Sequence, residues 1–345
     1  MLNPAFIPIG VDPPAPLSDA ARDAALNRPE LSAAWLVHRL REVGIDIDRM
    51  TAPRLIDQLL QSATRPIDTV ICAALDADPE AAVNGIIATT FADDVRLGVE
   101  CLAKAVRAAR SIIVADTAVR APKLAGRRGG DNPRLITIDH IYPQLHPALL
   151  LRAVLKRKLV AGRLPVEAGV LMLDAAAAWT LGRLVAGNVS VAVPAAVRDH
   201  RAGRTLFAAI APEVAIEAVL SSLQVGIESD DAIVTGELLL RTPANLATPA
   251  GKSGLVLHLL PRAAPVAAEP CVRCNWCADV CPTAVLPMLA LEAAQFNNVS
   301  LADRAGLDGC IECGLCDYVC PSKLPLVAAT RIARRVRGAM PVVNG

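Results

Sequence analysis

Aromatic side chains are scarce. Phe, Trp and Tyr make up 3% of the 345 residues, although hydrophobic types reach 53%. The core must therefore be built from Ala, Val and Leu, with few rings to anchor it. A charge excess of one sign is also missing. Lys plus Arg is 35 against 34 for Asp plus Glu, so no global electrostatic reason exists to expect nucleic acid as a partner. No apolar run approaches the roughly 20 residues of a membrane-spanning helix. "EAGVLMLDAAAAWTLGRLVAG" is broken by charge and "SGLVLHLL" is too short. The N-terminal "MLNPAFIPIGVDPPAP" lacks the basic and long apolar regions of a secretory signal. No GxSxG, Walker or HExxH pattern occurs. The five histidines (His38, His140, His146, His200, His258) show no metal spacing. Cysteine is nearly absent before residue 271. Only Cys72 and Cys101 occur there, on a buried strand and a helix, and both read as inert core thiols. The expectation is a soluble, intracellular chain without hydrolytic chemistry.

What remains has a clear order. Residues 1–16 are Pro-rich and read as an irregular arm; Ser18 then caps a helical stretch that Pro29 must divide in two. "IDTVICAAL", "SIIVADT" and "RLITID" have the β-branched runs of buried strands, and an amphipathic helix over 91–110 separates the first two. Strand, helix, strand argues for a parallel α/β domain. Two more helices follow, "HPALLLRAVLKRKLVAG" and "AAAAWTLGRLVAG", with the strand "AGVLMLD" between them. From about residue 189 the pattern shortens to small strands around one helix. "PRAAPVAAEP", 261–270, is the clearest linker. "RIARRVRG" near the end reads as a solvated helix face rather than a patch for an acidic partner. The expected division is arm and helices over 1–50, a Rossmann-like α/β domain over 51–188, a small α+β module over 189–262 and a cysteine domain over 263–345.

Eight of the ten cysteines lie in "CVRCNWCADVCP" and "CIECGLCDYVCP". Each window is C-x2-C-x2-C-x3-C-P. Three thiolates two residues apart wrap one iron–sulfur cube, while the fourth, before proline, leaves the loop for the other cube. The spacing assigns Cys271, Cys274, Cys277 and Cys320 to one 4Fe-4S cluster. Cys310, Cys313, Cys316 and Cys281 take the second. Zinc has no use for a third cysteine two residues on, nor for CP twice, and disulfides do not suit this compartment. Trp276 and Tyr318 are placed to shield the cubes from water.

The windows, with "IDTVICAALDADPE", "HIYPQLHPALLLRAVLKRKLVAGRLPVEAGVLMLD" and "RTPANLATPAGKSGLVL" upstream, resemble the C subunit of Rnf electron-transport complexes. Similar modules occur in the cobalamin reductase of propanediol-utilising microcompartments and in the proline-reductase electron-transfer protein. The resemblance runs collinearly over about residues 65–335. It implies an α/β domain like the flavin subunit of respiratory complex I, a β-grasp (SLBB-type) module over 189–262, and hydride taken from NADH through FMN to the clusters. The family's glycine-rich phosphate loop is missing. "REVGIDIDRMTAPRLIDQ" keeps only Gly44 and puts Asp46 and Asp48 where a phosphate would be repelled. In the acidic loop of the resemblance, Asp76 and Asp78 stand at the flavin-site positions, with Ala73 and Ala77 beside them as departures. "AGRRGGDNP", 125–133, reads as a surface turn rather than a replacement phosphate site.

The combined reading is a relay of single electrons through two 4Fe-4S clusters, with FMN and NADH not bound and the upstream domains serving as scaffold. Its partners would be a donor flavoprotein or ferredoxin and an acceptor oxidoreductase or corrinoid protein, in the cytoplasm or peripheral at the inner face of the membrane. The alternatives are an NADH- or FMN-dependent reductase, including a corrinoid reductase, and a structural iron–sulfur subunit.

Overall fold

The computed structural model describes residues 6–118, 124, 133–160, 162–187, 190–261 and 266–338. It divides into two compact units, residues 1–159 with 164–262, and residues 160–163 with 263–345.

In the first unit, β1 (Ile7–Ile9) precedes α1 (Asp19–Leu26) and α2 (Ala33–Glu42). Ser18 and Ser32 cap these helices by accepting from the Ala21 and Trp35 amides, and Pro29 lies in the break between them. Then come α3 (Leu55–Gln61), β2 (Thr69–Ala74), α4 (Val83–Thr90), α5 (Ala92–Ala105), β3 (Arg110–Asp116) and β4 (Arg134–Ile138). After them follow α6 (Pro147–Leu155), β5 (Val170–Asp174) and α7 (Ala175–Ala186). The four strands β2 to β5 make a parallel sheet in the order β4-β3-β2-β5.

Side chains alternate along β2 as a strand requires. Val70, Cys72 and Ala74 enter the core shared with α4, α5 and α7, whereas Ile71 and Ala73 meet Leu150 and Leu151 of α6. With few rings to fill space, α5 and α7 pack closely through small residues. A Cβ on Gly98 would sit 1.8 Å from the Ala178 carbonyl oxygen. The helix expected over 146–162 stops at Leu155, where Lys156 turns left-handed and Arg157 reaches Asp68 at 2.9 and 2.5 Å.

A second sheet holds β6 (Val193–Asp199), β7 (Arg204–Ile210), β8 (Asp231–Glu237), β9 (Leu240–Pro243) and β10 (Val256–Pro261), with α8 (Ile216–Ser222) across it. Its order is β1-β7-β6-β10-β8-β9. Here the structure corrects the expectation of an irregular arm: Ile7–Ile9 pairs in parallel with Ala208–Ile210. Three residues containing Pro8 suit an outer strand, since proline cannot donate to a further neighbour.

The second unit is helical: α9 (Trp276–Asp279), α10 (Pro287–Phe296), α11 (Val299–Arg304), α12 (Leu315–Val319) and α13 (Leu326–Gly338). Its core is small, mainly Ala290, Ala293, Ala302, Ala305, Leu307 and Ala333. On α13, Arg331, Arg334 and Arg337 pair with Glu312 and Asp308. Residues 125–132 of the glycine-containing turn and 262–265 of the linker lie outside the described residues. Among the described residues no helix is long and apolar enough to cross a membrane.

Candidate metal centre

The two cysteine windows share one backbone. Positive φ occurs at Arg273 and Asn275 in the first and at Glu312 and Gly314 in the second, then again at Ala284 and Lys323 after each CP step. Left-handed residues between right-handed ones turn successive amides toward a common interior, the concavity that binds anions. For the non-glycine residues this conformation costs on the order of 1 kcal/mol each, so the loops hold their form against local strain. Amides reach the sulfurs: Glu312 N donates to Cys310 Sγ at 3.4 Å and Val285 N to Cys281 Sγ at 3.3 Å.

Cys271, Cys274, Cys277 and Cys320 line one cavity, walled also by Met288, Leu324 and Leu326. Cys271 and Cys274 are exposed, whereas Cys320 is buried beside Leu291, Leu326 and Ala329. The other four lie within electrostatic reach of one another: Cys281 acts on Cys310 and Cys313, and both of those act on Cys316 or each other. Burial pushes the Cys277, Cys310, Cys313 and Cys316 thiols up. Four thiolates drawn this close would repel each other, so a positively charged group is what can hold them ionised together. Among the described residues, no three His, Cys, Asp or Glu side chains converge as ligands of a single ion. A cube needs no such convergence, because each cysteine meets a different iron. The donor chemistry, the inward amides and the apolar wall fit that group. Trp276 and Tyr318, expected as shields, are 57% and 69% exposed.

The flavin-site positions look different. Asp76 follows β2 and accepts from the Asn84 and Gly85 amides at 2.8 and 2.7 Å, at the start of α4. Burial raises its carboxyl to about 7 against the pull of those amides. His140 bridges its backbone carbonyl (2.9 Å) and the Asp116 carboxylate (2.6 Å). Asp78 caps the 3-10 turn that follows, accepting from the Glu80 amide at 2.9 Å. Asp174, at the end of β5, was not singled out in the sequence. Its buried carboxylate meets Arg49 twice, at 2.8 and 2.7 Å, Thr51 Oγ1 at 2.9 Å and the Ala177 amide at 2.7 Å. The carboxyl ends of parallel strands and the following helix N-termini are where α/β folds take phosphates. Here protein carboxylates occupy both helix starts. Gly44 turns at φ +73° with open space around its Cα.

Residues 270–324 match the family model of a 4Fe-4S dicluster domain. No curated protein sequence matches this chain. The fold is similar to a chain of the NAD+-reducing [NiFe]-hydrogenase in its H2-reduced state, with TM-score 0.54 and 12% identity, over 94% of this chain and 65% of that one. The air-oxidised form of that hydrogenase gives TM-score 0.53 and 12% identity over 92% and 63%. This chain thus spans less than two thirds of the hydrogenase chain's length. The architecture is a mixed α/β multidomain fold of that type, carrying a C-terminal 4Fe-4S dicluster domain.

Proposed function

We propose that this chain is an electron relay of the build seen in C subunits of Rnf complexes, passing single electrons between redox partner proteins through two 4Fe-4S clusters. When bound, each cluster supplies reversible one-electron chemistry. Cys271, Cys274, Cys277 and Cys320 would hold one, and Cys310, Cys313, Cys316 and Cys281 the other. What carries the reading is the gathering of each set of four from both windows, with amides aimed at the sulfurs. Asp76, Asp78 and Asp174 serve the fold rather than FMN or NADH, and the α/β unit is a scaffold on which a donor flavoprotein or ferredoxin and an acceptor dock. A reductase reading is favoured by one observation, the fold shared with a protein named for reducing NAD+.

Anaerobic purification with iron, sulfide and flavin analysis separates the two. The relay predicts about eight irons, two four-iron cubes, and no flavin after soaking with FMN. Stoichiometric FMN with bleaching of the clusters by NADH would establish the reductase instead.

A further inference from the structure

The two windows are near copies, so their differences act as internal controls. One difference falls directly after the third cysteine: Ala278 follows Cys277, but Asp317 follows Cys316. The second difference concerns an amide at the start of the helix after each window. In the first window the Met288 amide, on α10, lies near the Cys277 sulfur with no carboxylate between them. In the second window the equivalent amide is Val327 N, on α13. It donates to Asp317 Oδ1 at 2.9 Å, and Asp317 Oδ1 also stands 3.7 Å from Cys316 Sγ. Asp317 thus takes the Val327 amide for itself and sets a carboxylate beside the Cys316 sulfur.

Other charges near the sulfurs occur in compensating pairs. Arg334 and Glu312, both acting on Cys310, are 2.6 Å apart, and Arg273 is 3.1 Å from Glu292 in the first window. Asp279, the acidic residue of the first window, is exposed and accepts from Asn275 at 3.1 Å. Exposure differs in the same direction. Cys271 and Cys274 of the first set face solvent, whereas the second set has no exposed cysteine.

More local negative charge and less solvent both disfavour adding an electron to a cluster. We propose, on the relay reading above, that Asp317 makes the two clusters unequal. It holds the one of Cys310, Cys313, Cys316 and Cys281 at the lower potential, so that a single electron rests on the one of Cys271, Cys274, Cys277 and Cys320. The solvent-facing first window is then the port from which an acceptor draws the electron, and Asp317 is a positioning residue that sets the direction of flow.

The test is a reductive titration of the full-length, cluster-loaded chain followed by electron paramagnetic resonance. The parent protein should reduce in two resolved steps. Asp317→Ala and Asp317→Asn should raise only the lower step and narrow the gap, with Asn moving it at least as far because its amide can donate to sulfur. Ala278→Asp should lower only the upper step, and this decides the matter if the Asp317 variants lose iron. A single step in the parent, movement of the upper step in Asp317→Ala, or no movement in Ala278→Asp would overturn the inference. Failure of the chain to bind eight irons would instead refute the relay itself.

Discussion

At the carboxyl edge of the four-stranded sheet, Asp174 is met by Arg49, Thr51 and the Ala177 amide, and Asp76 by two amides of α4. In the cysteine windows the sulfurs face one another, a few amides and the side chains of Met288, Leu324 and Leu326. The first region supplies its own counter-charges. The second draws its sulfurs together without them. Buried charge persists where the chain provides partners for it, so the sheet edge is a finished structural element, while the windows have the form of a site completed by something added.

Removing the metal should break this contrast most strongly. Chelation from the iron-loaded protein should unfold the second unit, whose core is largely alanine, and leave the α/β unit cooperative. Metal binding to such small modules contributes on the order of 10 kcal/mol. Circular dichroism during thermal melting should then show loss of one transition only. An apo protein that retains both transitions would place the two regions in the same class.

Next in size is Asp174→Ala. It leaves the Arg49 side chain, 7% exposed, without its carboxylate and removes the cap of α7, which should cost about 3–5 kcal/mol. Urea midpoints would measure this loss, and the iron content should not change. Adding Arg49→Met to the same chain should restore part of it. If Asp174→Ala instead gains tight FMN binding with little loss of stability, the carboxylate was excluding a ligand rather than holding the fold.

A smaller effect is expected at Asp76. Its folded carboxyl titrates at about 7 rather than 3.8, so the folded state keeps a proton that the unfolded chain has released. That stabilisation is complete below about pH 4 and disappears as pH rises to about 7. Asp76→Asn should flatten the stability profile across that window, although its single amide oxygen can accept from only one of Asn84 and Gly85. An unchanged slope in urea titrations at several pH values would exclude a raised carboxyl here. Smallest of all is Arg331→Ala. This arginine is 55% exposed against Glu312, and losing the pair should move the urea midpoint by less than about 1 kcal/mol equivalent.

The dicluster pattern was legible because its information is local: thiol spacing, proline and turn residues lie within twelve positions. The parallel α/β sheet was legible for a similar reason, since each buried strand carries its own apolar run. Strand β1 was not, because three residues have no periodicity of their own and gain their identity only from β7. Asp174 was equally hidden. Its ligands Arg49 and Thr51 come from a segment whose sequence, "DRMTAPR", looks like a loop. The hydrogen bond from Val327 to Asp317 depends on where α13 begins, and helix boundaries are what a sequence specifies least.

The pairing of Ile7 with Ala208 also sets a timetable. Ile7–Ile9 is made well before Ala208–Ile210 and waits on the order of 10 s for it at ordinary rates of synthesis. Until then Ile7–Ile9 has no strand to pair with. The larger sheet can close only after most of the first unit has been made, and the windows follow it in synthesis, when iron and sulfide must already be at hand.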